Sequence, residues 1–168
     1  MKNIELKVAV KNFNEIKKLL KKNSAKPIGV LRQIDTYYTC QKGRLKIREI
    51  NNKEFEILFY QRSDKKRSKI SDYEMFRLKP CQLNTMKRIF GRAYGVKVVV
   101  KKKRELWIYK NTRIHLDRVN KLGNFLELET VVKNISLEQA QKEHQGAIGL
   151  LNFGKYKRIN GSYSDLLK

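Results

Sequence analysis

The sequence predicts a single α+β domain built on antiparallel strands. Three observations predict it. Segments in which apolar and polar residues alternate recur along the chain, separated by short turns, as in antiparallel hairpins. Three other segments carry apolar residues at helical spacing and fall between groups of strands. No repeat period or low-complexity linker divides the 168 residues, which are enough to bury a core as one unit, 1–168.

Residues 3–10 read as a strand, with Asn3, Glu5 and Lys7 on one face and Ile4, Leu6 and Val8 on the other. A helix over 12–22 follows, its apolar side formed by Phe13, Ile16, Leu19 and Leu20, with Asn12 or Asn14 as the capping residue. Residues 23–29, with Pro27, read as a break. Residues 30–50 form two strands around a turn at Gln41-Lys42-Gly43; the second puts Arg44, Lys46 and Arg48 opposite Leu45 and Ile47. A strand over 54–62, a basic loop over 63–68 and a short strand over 69–76 come next, then a helix over 82–94. The run VKVVVKKKRELWIY at 96–109 is strongly β-prone, with Lys102 and Arg104 on one face and Lys101, Lys103 and Glu105 on the other. Residues 112–133 read as a hairpin with Gly123-Asn124 at its tip. A helix over 136–151 opens on a capping box of Ser136 and Gln139, and a polar tail brings Tyr163, Leu166 and Leu167 back onto the body. The total is about eight strands and three helices. The charged strand faces fit either a sheet with one face in water or a closed barrel with a polar interior and helices outside.

Charge narrows the function. Lys and Arg number 39 against 16 acidic residues, a formal net charge of +23, which attracts polyanions such as nucleic acid, anionic membrane or a phosphorylated small molecule. A hydrophobic content of 40% excludes a wholly disordered chain. No stretch has the length of a transmembrane helix, and the alternating start differs from the apolar run of a signal peptide. Cys40 and Cys81 have neither metal-ligand spacing nor a disulfide framework, so a cytoplasmic, reducing location without membrane attachment is expected.

The 112–133 hairpin carries the sharpest chemistry. Arg113, His115 and Asp117 alternate with Ile114 and Leu116, while Glu127 and Glu129 alternate with Leu126 and Leu128. Three carboxylates on one patch of sheet repel one another unless a cation sits among them. With Glu5 they form a hard oxygen set suited to Mg²⁺ or Mn²⁺. Lys7, Arg44, Lys46, Arg48, Lys102, Arg104 and Arg113 supply cations on strand faces, so metal and cations together suit a polyphosphate. No glycine-rich phosphate loop is present, so the site is built from side chains. His115 is either a hydrogen-bonding partner of the set or a proton carrier.

The Glu5-Leu6-Lys7 strand, the run RQIDTYY…GRLKIRE from Arg32 to Glu49, VVVKKKRELW from Val98 to Trp107, and above all IHLDRVNKLGNFLELE from Ile114 to Glu129 resemble the CYTH domain. The likeness reaches the Ser162–Leu167 ending. That family joins class IV adenylyl cyclases with thiamine triphosphatases among the triphosphate tunnel metalloenzymes, and the nearest likeness is to proteins grouped with the cyclases. The resemblance implies an eight-stranded antiparallel barrel with helices outside, a tunnel that holds divalent metal on Glu5, Asp117, Glu127 and Glu129, and a triphosphate gripped by the basic strands. Lys7, Arg48, Lys102 and Arg104 are the cations it implies for catalysis. It also implies a homodimer. One departure stands out: Asn3 occupies the first glutamate position of the family's Glu-x-Glu-x-Lys signature, and an amide oxygen brings no charge. Two enzyme classes share this site, a cyclase converting ATP to cyclic AMP and pyrophosphate, and a triphosphatase acting on inorganic, thiamine, nucleoside or RNA 5′-triphosphate. Tyr37, Tyr38 and Tyr60 are the aromatic candidates for a nucleotide contact. A non-catalytic protein that binds triphosphate, or nucleic acid weakly through its basic surface, is the third reading.

Overall fold

In the computed structural model the described residues are 2–62 and 69–167; for 2, 62 and 69–72 the description is of the backbone alone. The expected basic loop at 63–68 lies outside the described residues. Eight strands make the body: β1 (Lys2–Val10), β2 (Lys26–Tyr38), β3 (Arg44–Ile50), β4 (Glu54–Arg62), β5 (Lys69–Leu78), β6 (Val96–Tyr109), β7 (Thr112–Val119) and β8 (Gly123–Val132). Their order is β5-β4-β3-β2-β6-β7-β8-β1, and every pairing is antiparallel. Pairing of β1 with β5, from Lys2↔Asp72 to Glu5↔Lys69, brings the two ends of the sheet together as a barrel. A two-residue strand β9 (Lys157–Arg158) lies along the rest of β1, at Val8 and Ala9.

Closure sorts the side chains of each strand by parity. On β1, Asn3, Glu5 and Lys7 face inward while Leu6 and Val8 face outward. The outward apolar residues are covered by helices. α1 (Asn14–Lys22) and α3 (Leu137–Leu150) bring Ile16, Leu20 and Ala147 onto Leu6, Val8, Trp107, Ile114, Leu116, Leu126 and Leu128. α2 (Leu83–Tyr94) lays Leu83, Met86 and Phe90 over Tyr38, Ile47, Phe55 and Leu78. A third apolar cluster lies inside the barrel: Tyr37, Val100, Val119, Phe125 and Tyr163, with Ala9, Val98, Ile159 and Leu167 beside them. It closes one end, so the interior is a pocket with a floor. Tyr163 comes from α4 (Tyr163–Leu166), the returning tail, whose turn is fixed by Ser162 and Asp165.

Ser136 and Gln139 make the capping box expected from their spacing, with Gln139 N–H donating to Ser136 Oγ at 3.1 Å. Asn12 Oδ1 accepts from the Asn14 backbone N–H at 3.0 Å. Three boundaries differ from the sequence reading. β2 starts at Lys26, because Pro27 sits at a register shift on an edge that β3 does not reach, where its missing N–H breaks no ladder bond. The β7–β8 turn has its tip at 120–122: Gly123 (φ +99°) already pairs with Val119, and Asn124 with Arg118. The tail, read as a polar connection, contains β9 and the fourth helix, α4. No helix among the described residues is long and apolar enough to cross a membrane.

Ile114 is fully buried among α1, α3 and the outer face of the barrel. Ile114→Ala leaves a cavity there, and urea unfolding should show a loss of about 2–5 kcal/mol.

Candidate active site

The interior cavity is about 330 Å³ in volume. Its depth can be followed along the strands. From mouth to floor β1 presents Asn3, Glu5, Lys7 and then Ala9; β8 presents Glu129, Glu127 and Phe125; β6 presents Leu106, Arg104, Lys102 and Val100; β3 presents Ile50, Arg48 and Lys46. Carboxylates therefore stand nearer the mouth on β1 and β8, while cations from three strands, β1, β3 and β6, occupy the deeper half.

Two buried carboxylates organise the cations. Asp35, 1% exposed, accepts from Arg48 Nε (2.7 Å) and Nη2 (3.1 Å), from Lys102 Nζ (2.5 Å) and from Lys46 Nζ (3.4 Å). Burial pushes its carboxyl up, but Arg48, Lys102 and Lys46 outweigh burial and hold it well below the usual range. The same burial pushes Lys46 well down and Lys102 to about 8, with Asp35 opposing the shift in each. Asp117, fully buried, is held bidentately by Arg104 (2.7 and 2.6 Å) and accepts from the Tyr163 hydroxyl at 2.8 Å. Burial and the nearby Asp117 raise Tyr163 well above the ordinary phenol range, so the hydroxyl stays protonated and donates. The Tyr163 ring lies 4.0 Å from Lys7 Nζ, a cation–π contact at the floor.

Glu127 lies opposite Lys7 and His115 in the ladder. It is bound by Lys7 Nζ (3.2 Å) and Arg104 Nη2 (2.9 Å), with His115 Nδ1 at 3.5 Å. Burial would raise its carboxyl; Lys7, His115 and Arg104 hold it well below the usual range. Glu129 is opposite Glu5 on one side and Arg113 on the other. Its oxygens face Asn3 Nδ2, Arg113 Nη1 (3.6 Å) and His115 Nε2 (3.6 Å). His115 therefore stands between two carboxylates.

The corner formed by Asn3, Glu5 and Glu129 fits a hard divalent cation. Asn3 is 1% exposed, and its Oδ1 has no hydrogen-bond partner among the described residues, because Nδ2 is committed to Glu129. Glu5 and Glu129 are like charges directly opposite one another, an arrangement that costs stability without a counterion. Among the described residues no three His, Cys, Asp or Glu side chains form a ready ligand cage. Mg²⁺ is ordinarily held by one or two carboxylates, with waters and phosphate oxygens completing its shell, and this corner suits that mode.

The expected site residues divide into two groups. Glu5, Lys7, Lys46, Arg48, Lys102, Arg104, Arg113, Glu127 and Glu129 share the cavity wall, as do Tyr37 and Tyr60. Asp117, Arg44 and Tyr38 do not line it. Asp117 was expected to hold metal; in the structure its oxygens accept from Arg104 and from the Tyr163 hydroxyl. Arg44 was expected to grip phosphate; it is drawn to Asp165 at 3.0 Å and ties the returning tail to β3. Tyr38 points outward into the α2 cluster. Sequence reasoning assigned no role to Asp35, Gln33 or Glu56, and placed Tyr163 on the body without bringing it into the pocket. The signal for Asp35 was the Gln33-x-Asp35-x-Tyr37 alternation, which puts an acid on the same strand face as two other polar side chains.

Among curated proteins none matches this sequence. Solved structures share its fold throughout. The PH1012 protein of Pyrococcus horikoshii OT3 is 27% identical, with 98% of each chain covered and a TM-score of 0.82. A Vibrio parahaemolyticus protein assigned provisionally as an adenylate cyclase is 18% identical over 98% of this chain and 97% of its own, with a TM-score of 0.73. A Hippeastrum protein, first assigned as an adenylyl cyclase and described as having dominant triphosphatase activity, is 12% identical over 96% and 91%, with a TM-score of 0.67. The CYTH domain family model matches residues 1–158. With its barrel, acidic corner and basic interior accounted for, this chain belongs to the CYTH domain family, whose triphosphate tunnel metalloenzymes use divalent metal ions.

Proposed function

We propose that this chain is a metal-dependent enzyme acting on an organic triphosphate at the α-phosphate, as a class IV adenylyl cyclase does when it converts ATP to cyclic AMP and pyrophosphate. The observation that carries this reading is the order of groups by depth. A floor closes one end, the deep half is cationic, the carboxylates stand nearer the mouth, and Leu31, Ile50 and Leu106 form an apolar rim beyond them. A triphosphate entering tail first puts its β- and γ-phosphates among Lys7, Lys46, Lys102 and Arg104, leaves its α-phosphate beside Glu5 and Glu129, and rests its organic group on the rim.

Each residue then has a task. Lys46, Arg48 and Lys102 neutralise the tail, with Asp35 holding them in place before substrate arrives. Arg104, kept rigid by Asp117, stabilises charge that develops on the leaving pyrophosphate. Asn3, Glu5 and Glu129 would hold the divalent cation, Mg²⁺ or Mn²⁺, which polarises the α-phosphoryl group and acidifies the attacking 3′-hydroxyl. His115 keeps Glu127 and Glu129 in register. The same wall also supports hydrolysis of the terminal phosphate, and the shared fold of the Hippeastrum protein, with its dominant triphosphatase activity, favours that second reading.

Incubation with ATP or tripolyphosphate and Mg²⁺ or Mn²⁺, followed by product identification, separates the two. Cyclic AMP with pyrophosphate is the expected result; orthophosphate would move the assignment to a triphosphatase. Glu129→Gln should lower turnover by at least about 100-fold, as loss of a group that acts on the transition state does. Full activity in both Glu127→Gln and Glu129→Gln would remove a metal role for the hairpin.

pH gives a further expectation. Lys102 is charged below about 8 and neutral above it. Tripolyphosphate affinity should therefore fall as pH rises past 8, approaching tenfold per unit for this one group. Lys102→Arg keeps its charge throughout, so calorimetry on that variant should show a flatter profile than the wild type.

A further inference from the structure

The tunnel does not hold the chain's excess charge. Its cations Lys7, Lys46, Arg48, Lys102, Arg104 and Arg113 face five lining carboxylates and Asp117 behind them. The positive excess of the described residues therefore lies outside the tunnel.

One outer patch is ordered by the ladder itself. Arg32 on β2 is directly opposite Lys103 on β6, and Lys103 is directly opposite Arg118 on β7. All three are exposed, and among the described residues none has an acidic partner within salt-bridge distance. Neighbouring strands lie about 4.8 Å apart, so the three Cα positions span about 10 Å. Like charges directly opposite one another are destabilising, and opposite charges are the usual solution at such positions. Lys101 stands one step along the same face of β6, exposed, opposite Ile34. The acid on this face of β6, Glu105, is committed to Lys17 at 2.6 Å and to the Trp107 indole at 3.0 Å. The patch lies between the area covered by α1, where Arg118 approaches the Phe13 ring, and the area covered by α2.

We infer that the outer face of β2, β6 and β7 binds the phosphate backbone of a nucleic acid, at a site separate from the tunnel. A linear polyanion matches a row of cations, with successive phosphates meeting successive side chains. Recognition is independent of sequence: the flanking positions are Val30, Glu105 and Leu116 on one side and Ile34 and Lys101 on the other, so no aromatic ring is offered for base stacking. Residues of alternate parity on β6 then serve two anion sites, Lys102 and Arg104 inside and Lys101 and Lys103 outside.

The test uses a short single-stranded RNA with a 5′-hydroxyl, which carries no triphosphate for the tunnel, in anisotropy titrations between about 50 and 200 mM salt. Wild-type affinity should fall steeply with salt. R32Q/K103Q/R118Q should lose at least about tenfold in affinity at low salt and reduce the log–log slope by about two, from three contacts at about 0.7 each. The single variant Lys103→Gln should reduce it by about 0.7, which keeps the test valid if the triple variant folds poorly. Saturating tripolyphosphate should leave RNA bound, and triphosphate turnover should be unchanged in the triple variant. An unchanged slope in both variants, displacement of RNA by tripolyphosphate, or binding to anionic vesicles without binding to RNA would overturn the assignment.

Discussion

Closing the barrel forces half of every strand's side chains into an enclosed space, and in this chain that half is charged. Each buried charge therefore needs a partner, since a lone ion in such a place costs several kcal/mol and removing one member of a buried pair typically costs about 3–5 kcal/mol. Asp35 gathers Arg48, Lys102 and Lys46; Asp117 fixes Arg104; Glu127 takes Lys7 and Arg104. Apolar packing is displaced to the outside, where α1, α3 and α2 cover the barrel, and to the floor formed with Tyr163. The interior is thus a set of cations held ready by internal carboxylates. A phosphate chain needs only to share or replace those carboxylates as counterion, with little rearrangement of the wall.

The acidic corner differs in kind from the deep cations. Glu5 and Glu129 stand directly opposite one another in the ladder, and Asn3 turns its amide nitrogen to Glu129 while leaving its oxygen unpartnered among the described residues. A metal relieves both conditions at once. Asn3 in place of a third carboxylate makes the corner less negative, so substrate phosphate would have to supply a larger part of the shell of a metal held there. Metal and triphosphate should therefore bind as a unit in this chain.

Much of this was legible in the sequence because strand alternation is local. The parity of Lys46 and Arg48 against Ile47, of Lys102 and Arg104 against Lys101 and Lys103, and of Glu127 and Glu129 against Leu128 can be read residue by residue, and the structure keeps it. What depends on distant segments was not legible. Asp35 meets Lys102 across 67 residues, through a pairing of β2 with β6 that no local pattern specifies. Asp117 and Arg44 have the parity of site residues, yet the tail returning with Tyr163 and Asp165 decides that one holds Arg104 and the other holds the tail itself. Closure rests on a four-residue pairing of β1 with β5, and alternation alone fits an open sheet equally well.

An acidic corner that couples metal to triphosphate makes the two ligands bind cooperatively. The most direct measurement is calorimetric titration of tripolyphosphate into the wild-type protein and the Glu129→Gln variant, each with and without Mg²⁺. In the wild type Mg²⁺ should tighten binding by at least about tenfold, the scale expected when a metal bridges carboxylate and phosphate. In Glu129→Gln the metal-free affinity should be retained or increased, because a carboxylate that repels phosphate is gone, and the effect of Mg²⁺ should largely vanish. Equal tightening by Mg²⁺ in both proteins would contradict the account.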